Sequence, residues 1–350
     1  MPYGLSAPKT GRSRFTPQAY PFPNTAYAKL SAGIPSELYY NWSLAYFRFT
    51  LNYDLLTYAG ILGGLAAGAL QKNWRSRAAV SGIPFYLFYL ARIGGDFMGG
   101  RFFALPLFCA AVLLSRLQLP RLNAARAAVV LAVMSGLAFQ SYIITPIANN
   151  VYKNDPAKIF NGVMDERLFY SSGTGLVYLK DYFTESVMLG GFGDFKWPLT
   201  YWQLDGERMR ALAEANQQVV FVSSNIGYRG FYAGPKAIIV DFFALSDPLL
   251  ARLPLVKAAD WRVGHLPRPV PEGYIETLES GRNQLQDPGL AAFYEHLSLI
   301  TQGPLFDPAR LNTIWEMNLG KYDSFINRDR YSQMALPEKV LPKKYWLGEN

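Results

Sequence analysis

Four apolar runs in the first half of the sequence restrict what this chain can fold into more than any other feature. They cover residues 52–70, 78–95, 101–115 and 126–147, the third being short. A bilayer-crossing helix needs roughly 20 apolar residues, and most of these runs come close to that length. The pattern predicts a membrane module of four spans. A globular protein with four buried helices is the alternative.

Basic residues lie in alternate connections between these runs. Residues 72–77 contain three Lys or Arg, and residues 116–126 contain three Arg. Because cytoplasmic loops are enriched in Lys and Arg, both connections are predicted to be cytoplasmic. Residues 1–50, the loop at 94–101 and the region 149–350 would then lie outside the cytoplasm. This predicts a multi-pass protein of a bacterial cytoplasmic (inner) membrane with an extracytoplasmic C-terminal domain.

Charge is divided unevenly between the two halves. Residues 1–150 hold 13 Lys and Arg against 3 Asp and Glu, whereas the remainder holds 21 against 23. A nucleic-acid-binding protein would need its positive charge on a soluble face, so that class is set aside. The excess of basic residues in the apolar half indicates binding to anionic lipid head groups. The predicted partner is therefore a lipid bilayer. Cys109 is the only cysteine, which excludes a disulfide within these 350 residues.

The sequence predicts three parts. Residues 1–50 would form an extracytoplasmic loop and an aromatic interfacial helix, residues 51–148 the transmembrane helices, and residues 149–350 a soluble extracytoplasmic domain. In the last part, Val219–Val222 and Ala237–Val240 are continuous apolar runs typical of buried strands. Together with helical spacing nearby, they predict an α/β or α+β domain.

Two acids follow the second predicted strand. Asp241 stands directly at its carboxyl end, where open α/β sheets bind ligands, and Asp247 comes six residues later. We consider both as candidates for substrate binding. A capping or turn role is the alternative for each, since Asp commonly accepts hydrogen bonds from its own backbone.

The segment Arg92–Arg101, which we call the Asp96 loop, places one acid and two arginines among four glycines between two apolar runs. Ionisable groups at membrane depth usually mark a substrate path or a catalytic site. We therefore predict Asp96 as a catalytic carboxylate, a general base toward a sugar hydroxyl, and Arg101 as a donor to a phosphate. A polar loop whose Arg101 simply binds a lipid phosphate is the alternative.

Other polar residues complete the candidate site. Asp54 is either a second catalytic carboxylate or the acid that begins a helix, and His265 is either a functional or a structural histidine. No nucleophile-elbow, phosphate-loop or His-Glu metal motif occurs. The remaining candidates for substrate binding are Asn24, Lys29, Arg48 and Tyr228.

Five segments, taken in their order along the chain, resemble a known family: Tyr20–Lys29, Gly94–Phe102, Ile238–Asp241, Leu245–Arg252 and Trp261–His265. In this order they resemble the later part of the terminal β-(1→2) arabinofuranosyltransferases of bacterial cell-wall synthesis. They are also similar to proteobacterial relatives, some of which are labelled flagellar motor control proteins. The resemblance extends over most of residues 17–330. It implies a GT-C-like membrane glycosyltransferase that moves a sugar, such as arabinofuranose, from a polyprenyl-phosphate donor to a cell-envelope glycan.

The resemblance also bears on the site. It implies that Asp96 and Arg101 belong to the family's GGDxMxGR-like loop. The family's essential acid lies after its first membrane helix, and no residue here matches it, which implies a chain that begins partway through the family's membrane module. No cofactor is required, although a divalent cation shared by acids and phosphate would be compatible. The alternative function is a non-catalytic membrane protein whose soluble half binds a glycan or a flagellar or envelope partner.

Overall fold

The chain, seen in a computed structural model, forms two compact units. The N-terminal unit comprises Ile34–Gly191 and Arg262–Gly264; the C-terminal unit comprises Met1–Gly33, Phe192–Trp261 and His265–Asn350. The structure describes residues 27–29, 33–71, 73–117, 124–125, 128–137, 162–164, 198–224, 226–257, 259 and 261–346.

The described part of the N-terminal unit is helical. Its helices are α1 (Ser36–Tyr53), α2 (Leu55–Leu70), α3 (Trp74–Arg92), α4 (Ala104–Ser115) and α5 (Ala128–Leu137). A 3-10 turn, Arg101–Phe103, leads into α4. The core between α1 and α4 is largely aromatic and aliphatic, with Tyr46, Phe49, Ile61, Leu90 and Phe103 buried together.

Asp54 separates α1 from α2. Its backbone leaves the helical conformation, and its carboxylate accepts hydrogen bonds from the Thr57 N–H at 3.2 Å and from the Thr57 hydroxyl at 2.7 Å. These bonds satisfy a donor at the start of α2, as an N-cap residue does. The two helices consequently meet at a bend of 100°.

Glycines bring α2 and α4 close together. A Cβ atom at Gly60 would lie 2.7 Å from Leu107 Cδ1, and one at Gly64 would overlap Ala110. These glycines therefore form a small-residue face that lets the two helices pack closely.

The prediction of four membrane spans, and with it the GT-C-like architecture, is wrong. Within the described residues no single helix is both long enough and apolar enough to cross a bilayer; α1 and α2 reach that composition only as a bent pair. The physical reason is length and charge. The first predicted span is cut at Asp54, leaving 16 residues in α2, and α4 has 12. Helix α3 has 19 residues but carries Arg75 and Arg77 in its first turn and Arg92 at its end.

The C-terminal unit contains helices and a small sheet. Its strands are β1 (Val220–Ser223) and β2 (Ile238–Asp241), and its helices are α6 (Pro198–Glu214), α7 (Ile226–Ala233), α8 (Tyr274–Ser280), α9 (Pro288–Gln302), α10 (Pro308–Asn318), α11 (Arg328–Ser332) and α12 (Pro337–Val340). The strands are parallel, with Val220 opposite Ile238 and Ser223 opposite Asp241, and α7 connects them.

The expected α/β or α+β domain is thus mostly helical. Both predicted strands exist, each displaced by one residue from its apolar run, but each stops after four residues. Beyond Asp241 the backbone turns at once, because the Asp241 carboxylate accepts the Phe243 N–H at 3.1 Å and the Ser246 N–H at 3.0 Å. In the described residues the sheet therefore remains two-stranded.

Arg268 joins several loops of the C-terminal unit. Its residue is 0% exposed, and its guanidinium donates to the carbonyl oxygens of Leu253 at 2.8 Å, Leu266 at 2.9 Å and Ala28 at 2.5 Å. A buried charge is tolerated only with such hydrogen bonds. This arginine therefore fixes the first described residues of the unit against its later loops.

Candidate functional site

The Asp96 loop begins where α3 ends. Gly94, Gly95 and Gly100 have φ angles of +83°, +67° and +79°, a left-handed conformation in which glycine carries no steric cost. The glycines singled out in the sequence are thus needed by the backbone itself. They turn the chain from α3 into the 3-10 turn that begins at Arg101.

The Asp96 loop packs against helix α1. A Cβ atom at Gly95 would lie 2.5 Å from the ring of Tyr46, and one at Gly99 would overlap the ring of Phe49. The Tyr46 hydroxyl accepts a hydrogen bond from the Phe102 N–H at 2.9 Å. The buried aromatic face of α1 therefore sets the position of the loop.

A short bridge supports the loop from another segment of the N-terminal unit. The Gly99 N–H donates to the Met164 carbonyl at 2.8 Å, and the Met164 N–H donates to the Phe97 carbonyl at 2.9 Å. These two bonds satisfy backbone groups on both sides of Met98. The loop is consequently fixed on more than one side and can present side chains in a defined orientation.

Asp96 and Arg101 form an ion pair inside this loop. Arg101 Nη2 lies 2.6 Å from Asp96 Oδ2, and the two side chains are 43% and 1% exposed. A buried carboxylate requires a charged partner, whereas an arginine with five N–H donors keeps further donors after pairing. The pair therefore orients a partly exposed guanidinium toward solvent.

A second arginine lies close to the same loop. The guanidinium carbon of Arg262 is 5.9 Å from the centre of the Phe97 ring, and that of Arg101 is 5.7 Å from it. Gly264 makes this approach possible, since a Cβ there would lie 2.6 Å from the Phe97 ring. Among the described residues, two arginines thus lie beside Phe97 in the loop that carries Asp96, and arginine is a residue suited to binding an anion such as phosphate.

The geometry bears on what Asp96 can do. A general base must come within hydrogen-bond reach of the proton that it removes. Asp96 is buried and engaged by Arg101, so in this conformation it positions the arginine. Binding of a phosphate by Arg101, which belongs to both interpretations of the loop, is compatible with the same geometry.

Two other candidates of the N-terminal unit lie outside the Asp96 loop. Asp54 caps α2 through Thr57, which is the helix-start role considered as its alternative. Arg48 is exposed on α1. Neither has a described contact with Asp96 or Arg101.

The candidates in the C-terminal unit have local partners. Asp241 makes the turn after β2, and burial raises the pKa of its carboxyl, although the N–H groups of Ser246 and Phe243 oppose this. His265 packs edge-on against Phe243, with ring centres 5.1 Å apart. Tyr228 is exposed on α7 and Lys29 is half-buried in a helical turn. Asn24 lies outside the described residues.

Asp247 combines a capping role with a place in a cavity. Its Oδ1 accepts the N–H groups of Leu249 at 3.0 Å and Leu250 at 2.9 Å, and the Tyr274 hydroxyl lies within 3.1 Å of both oxygens. Burial raises the pKa of this carboxyl to about 6 in spite of those donors. It lines a cavity of about 330 Å³ in the C-terminal unit.

Sequence reasoning missed several residues that the structure brings to these places. Tyr46 looked like one of many aromatics of an interfacial helix, and Arg262 had only its place in the segment Trp261–His265 as a signal. Tyr274 and Glu295 at the cavity carried no signal at all. Their importance arises from contacts that are distant along the chain.

Among the described residues, no group of three or more His, Cys, Asp and Glu side chains lies close enough together to hold a metal ion. A scan against protein-family models and searches of curated proteins and of solved structures give no match to this chain.

Proposed function

We propose that this chain is a glycosyltransferase, or part of one, that takes a sugar from a polyprenyl-phosphate donor, and that the Asp96 loop binds the donor phosphate. The observation that supports this best is the Asp96–Arg101 pair, in which a buried carboxylate aims a partly exposed guanidinium at solvent. Arg262 adds a second positive charge beside the same aromatic ring. Arginine suits phosphate because its planar N–H groups match two phosphate oxygens at once.

The reaction would be a single displacement at the sugar. The acceptor hydroxyl forms a bond to the anomeric carbon while the bond from that carbon to the phosphate oxygen breaks. The bonding electrons remain on the phosphate, which leaves without taking a proton. Arg101 stabilises this added negative charge, and Asp96 keeps Arg101 in place. The acceptor hydroxyl releases its proton to solvent water.

Exposed apolar side chains of the N-terminal unit support a lipid partner. Large apolar side chains are exposed on α2, α3 and α4, and basic residues adjoin them at Arg75, Arg77 and Arg116. A surface that joins apolar and basic groups suits acyl chains beside anionic head groups. We place the enzyme at the outer face of a bacterial cytoplasmic membrane, with a cell-envelope glycan as acceptor. The exposed apolar residues include Leu62, Leu70, Phe85, Phe88, Leu105 and Phe108.

The test is transfer of radiolabelled sugar from polyprenyl-phosphate donors to envelope glycan by the purified chain in detergent. We expect transfer by the unaltered protein, and at least about 10-fold less by Arg101→Ala, because a tenfold loss corresponds to one charge-assisted hydrogen bond. Arg282→Ala is the control, since Arg282 is also an exposed arginine but lies in the C-terminal unit, outside the loop and outside the lipid surface. Equal transfer by Arg101→Ala and the unaltered chain would show that the Asp96 loop does not bind the donor phosphate.

The second candidate is a non-catalytic protein that binds an envelope glycan or partner. The observation that favours it is an aromatic surface on α7, where Phe231 is 77% exposed and Tyr228 is exposed beside Tyr232. Exposed aromatic side chains commonly serve as binding surfaces. This function predicts that Phe231→Ala lowers glycan binding while no sugar transfer is detected from any donor.

A further inference from the structure

The cavity of the C-terminal unit is bounded by several pieces of chain. Its wall contains residues of β2, the loop that carries Asp247, helix α8 and helix α9. Its volume of about 330 Å³ suits a ligand of a few to about a dozen non-hydrogen atoms. It lies wholly within one unit and is independent of the Asp96 loop.

The charge of the wall has one sign. Two carboxyl side chains, Asp247 and Glu295, are among the described residues that line the cavity, and Lys, Arg and His are absent from that lining. An anionic ligand would therefore meet repulsion without compensation. A cationic ligand would be attracted by both carboxylates.

The hydroxyl groups of the wall point to the same ligand. Ser298 donates its hydroxyl proton to the Glu295 carbonyl at 2.9 Å, and Thr301 donates to the Leu297 carbonyl at 3.0 Å. A hydroxyl that has used its one proton still offers lone pairs. These two side chains thus offer acceptors to a ligand that brings donors.

Two tyrosine rings complete the wall. Tyr274 and Tyr294 meet edge to face with ring centres 6.0 Å apart, and both line the cavity. The faces of tyrosine rings attract cations. Glu295 itself is held in place by Asn283, whose amide donates to Oε1 at 2.7 Å.

We propose that this cavity binds a small protonated amine, with Glu295 and Asp247 as the counter-charges and the two tyrosines as flanking faces. The proposal goes beyond the sugar transfer suggested above and does not rest on it. An ammonium group supplies three donors and a positive charge, and the described lining residues carry no positive charge of their own.

The test is calorimetric titration of the full chain with glucamine, a polyol that carries one protonated amine, and with sorbitol, its uncharged counterpart. We expect glucamine to bind at least about 10-fold more tightly than sorbitol, because a tenfold difference in affinity corresponds to one charge-assisted hydrogen bond. Equal binding of the two compounds would show a site for neutral polyols and would overturn the proposal. Absence of glucamine binding would overturn it as well.

Variants tie the effect to the cavity. Glu295→Gln removes one carboxylate from an exposed position and should lower glucamine affinity about 10-fold while leaving thermal unfolding unchanged. Glu276→Gln, on the neighbouring helix but outside the cavity wall, is the control and should bind as the unaltered chain does. Should Glu295→Gln bind glucamine as tightly as the control, the amine does not occupy this cavity.

Discussion

Asp96 and Arg101 share one ion pair of 2.6 Å but differ greatly in exposure, at 1% and 43%. Removal of either partner should therefore have unequal consequences. Arg101→Ala removes the charged group that lies 2.6 Å from the buried Asp96 carboxylate, whereas Asp96→Asn leaves an arginine that water can still solvate. Arg101→Ala therefore removes a charge that compensates Asp96, whereas Asp96→Asn only removes the group that orients the Arg101 side chain.

We expect Arg101→Ala to lower the free energy of unfolding of the N-terminal unit by about 3 kcal/mol and Asp96→Asn by about 1 kcal/mol. Urea unfolding of both variants checks this. The double variant should regain part of the loss of Arg101→Ala, because the buried charge is gone. A double variant less stable than Arg101→Ala would show that Asp96 stabilises the loop by other means.

Gly95 should tolerate no side chain. Alanine there combines φ of +67° with a Cβ only 2.5 Å from the Tyr46 ring, so Gly95→Ala should cost about 2–3 kcal/mol of unfolding free energy. Gly82→Ala is the matched control, since nothing lies within 4 Å of its Cβ and it is inside α3. The control should be neutral or more stable by about 0.5–1 kcal/mol. Similar unfolding midpoints for the two variants would contradict the packing of this loop on α1.

Features of this chain that depend on neighbours in sequence can be predicted from the sequence alone. Asp54 as a helix-start acid and the two apolar strands depend on neighbours in sequence, and the strands were placed to within one residue. The prediction of four spans is wrong because it treats as continuous the apolar runs that Asp54 and turns of the chain divide into shorter helices. Tyr46 and Arg262 could not be assigned to the site, since each meets the Asp96 loop only through folding.

Arg268 should be essential for the C-terminal unit. Arg268→Met keeps much of its volume but leaves the carbonyls of Leu253, Leu266 and Ala28 without this donor, at a cost of about 3 kcal/mol or more. Arg282→Met, at an exposed position, should change stability by less than about 0.5 kcal/mol. Chemical unfolding followed by circular dichroism measures both. A loss below 1 kcal/mol for Arg268→Met would mean that water replaces the guanidinium.

Asp247 should make stability depend on pH in a defined window. Burial raises its pKa from 3.8 to about 6, so between these values the folded chain binds more protons at this carboxyl than the unfolded chain. Stability contributed by this group is therefore present at low pH and is lost as pH rises through about 6. Relative to Asp247→Asn, the unaltered protein should lose stability between pH 4.5 and pH 7.5.

Asp287→Asn is the control for that experiment. Burial would raise the pKa of Asp287, but hydrogen bonds led by the Leu290 N–H, with those of Tyr331 and the charge of Arg330, hold it below its usual 3.8. Its titration falls below this window, so its variant should show a constant stability difference from pH 4.5 to 7.5. If the unfolding free energies of Asp247→Asn and of the unaltered chain change with pH in the same way, Asp247 is not the group responsible.

The account as a whole depends on an anion site at Arg101, and the most direct measurement is binding of a short-chain polyprenyl monophosphate to the full chain in detergent. We predict that Arg101→Ala weakens this binding at least about 10-fold and that Arg101→Lys, which keeps the charge but loses the planar fork, weakens it less. Arg282→Ala, at an exposed position of the C-terminal unit, should bind as the unaltered chain does. Equal affinities for the unaltered chain and Arg101→Ala would contradict the proposed donor site.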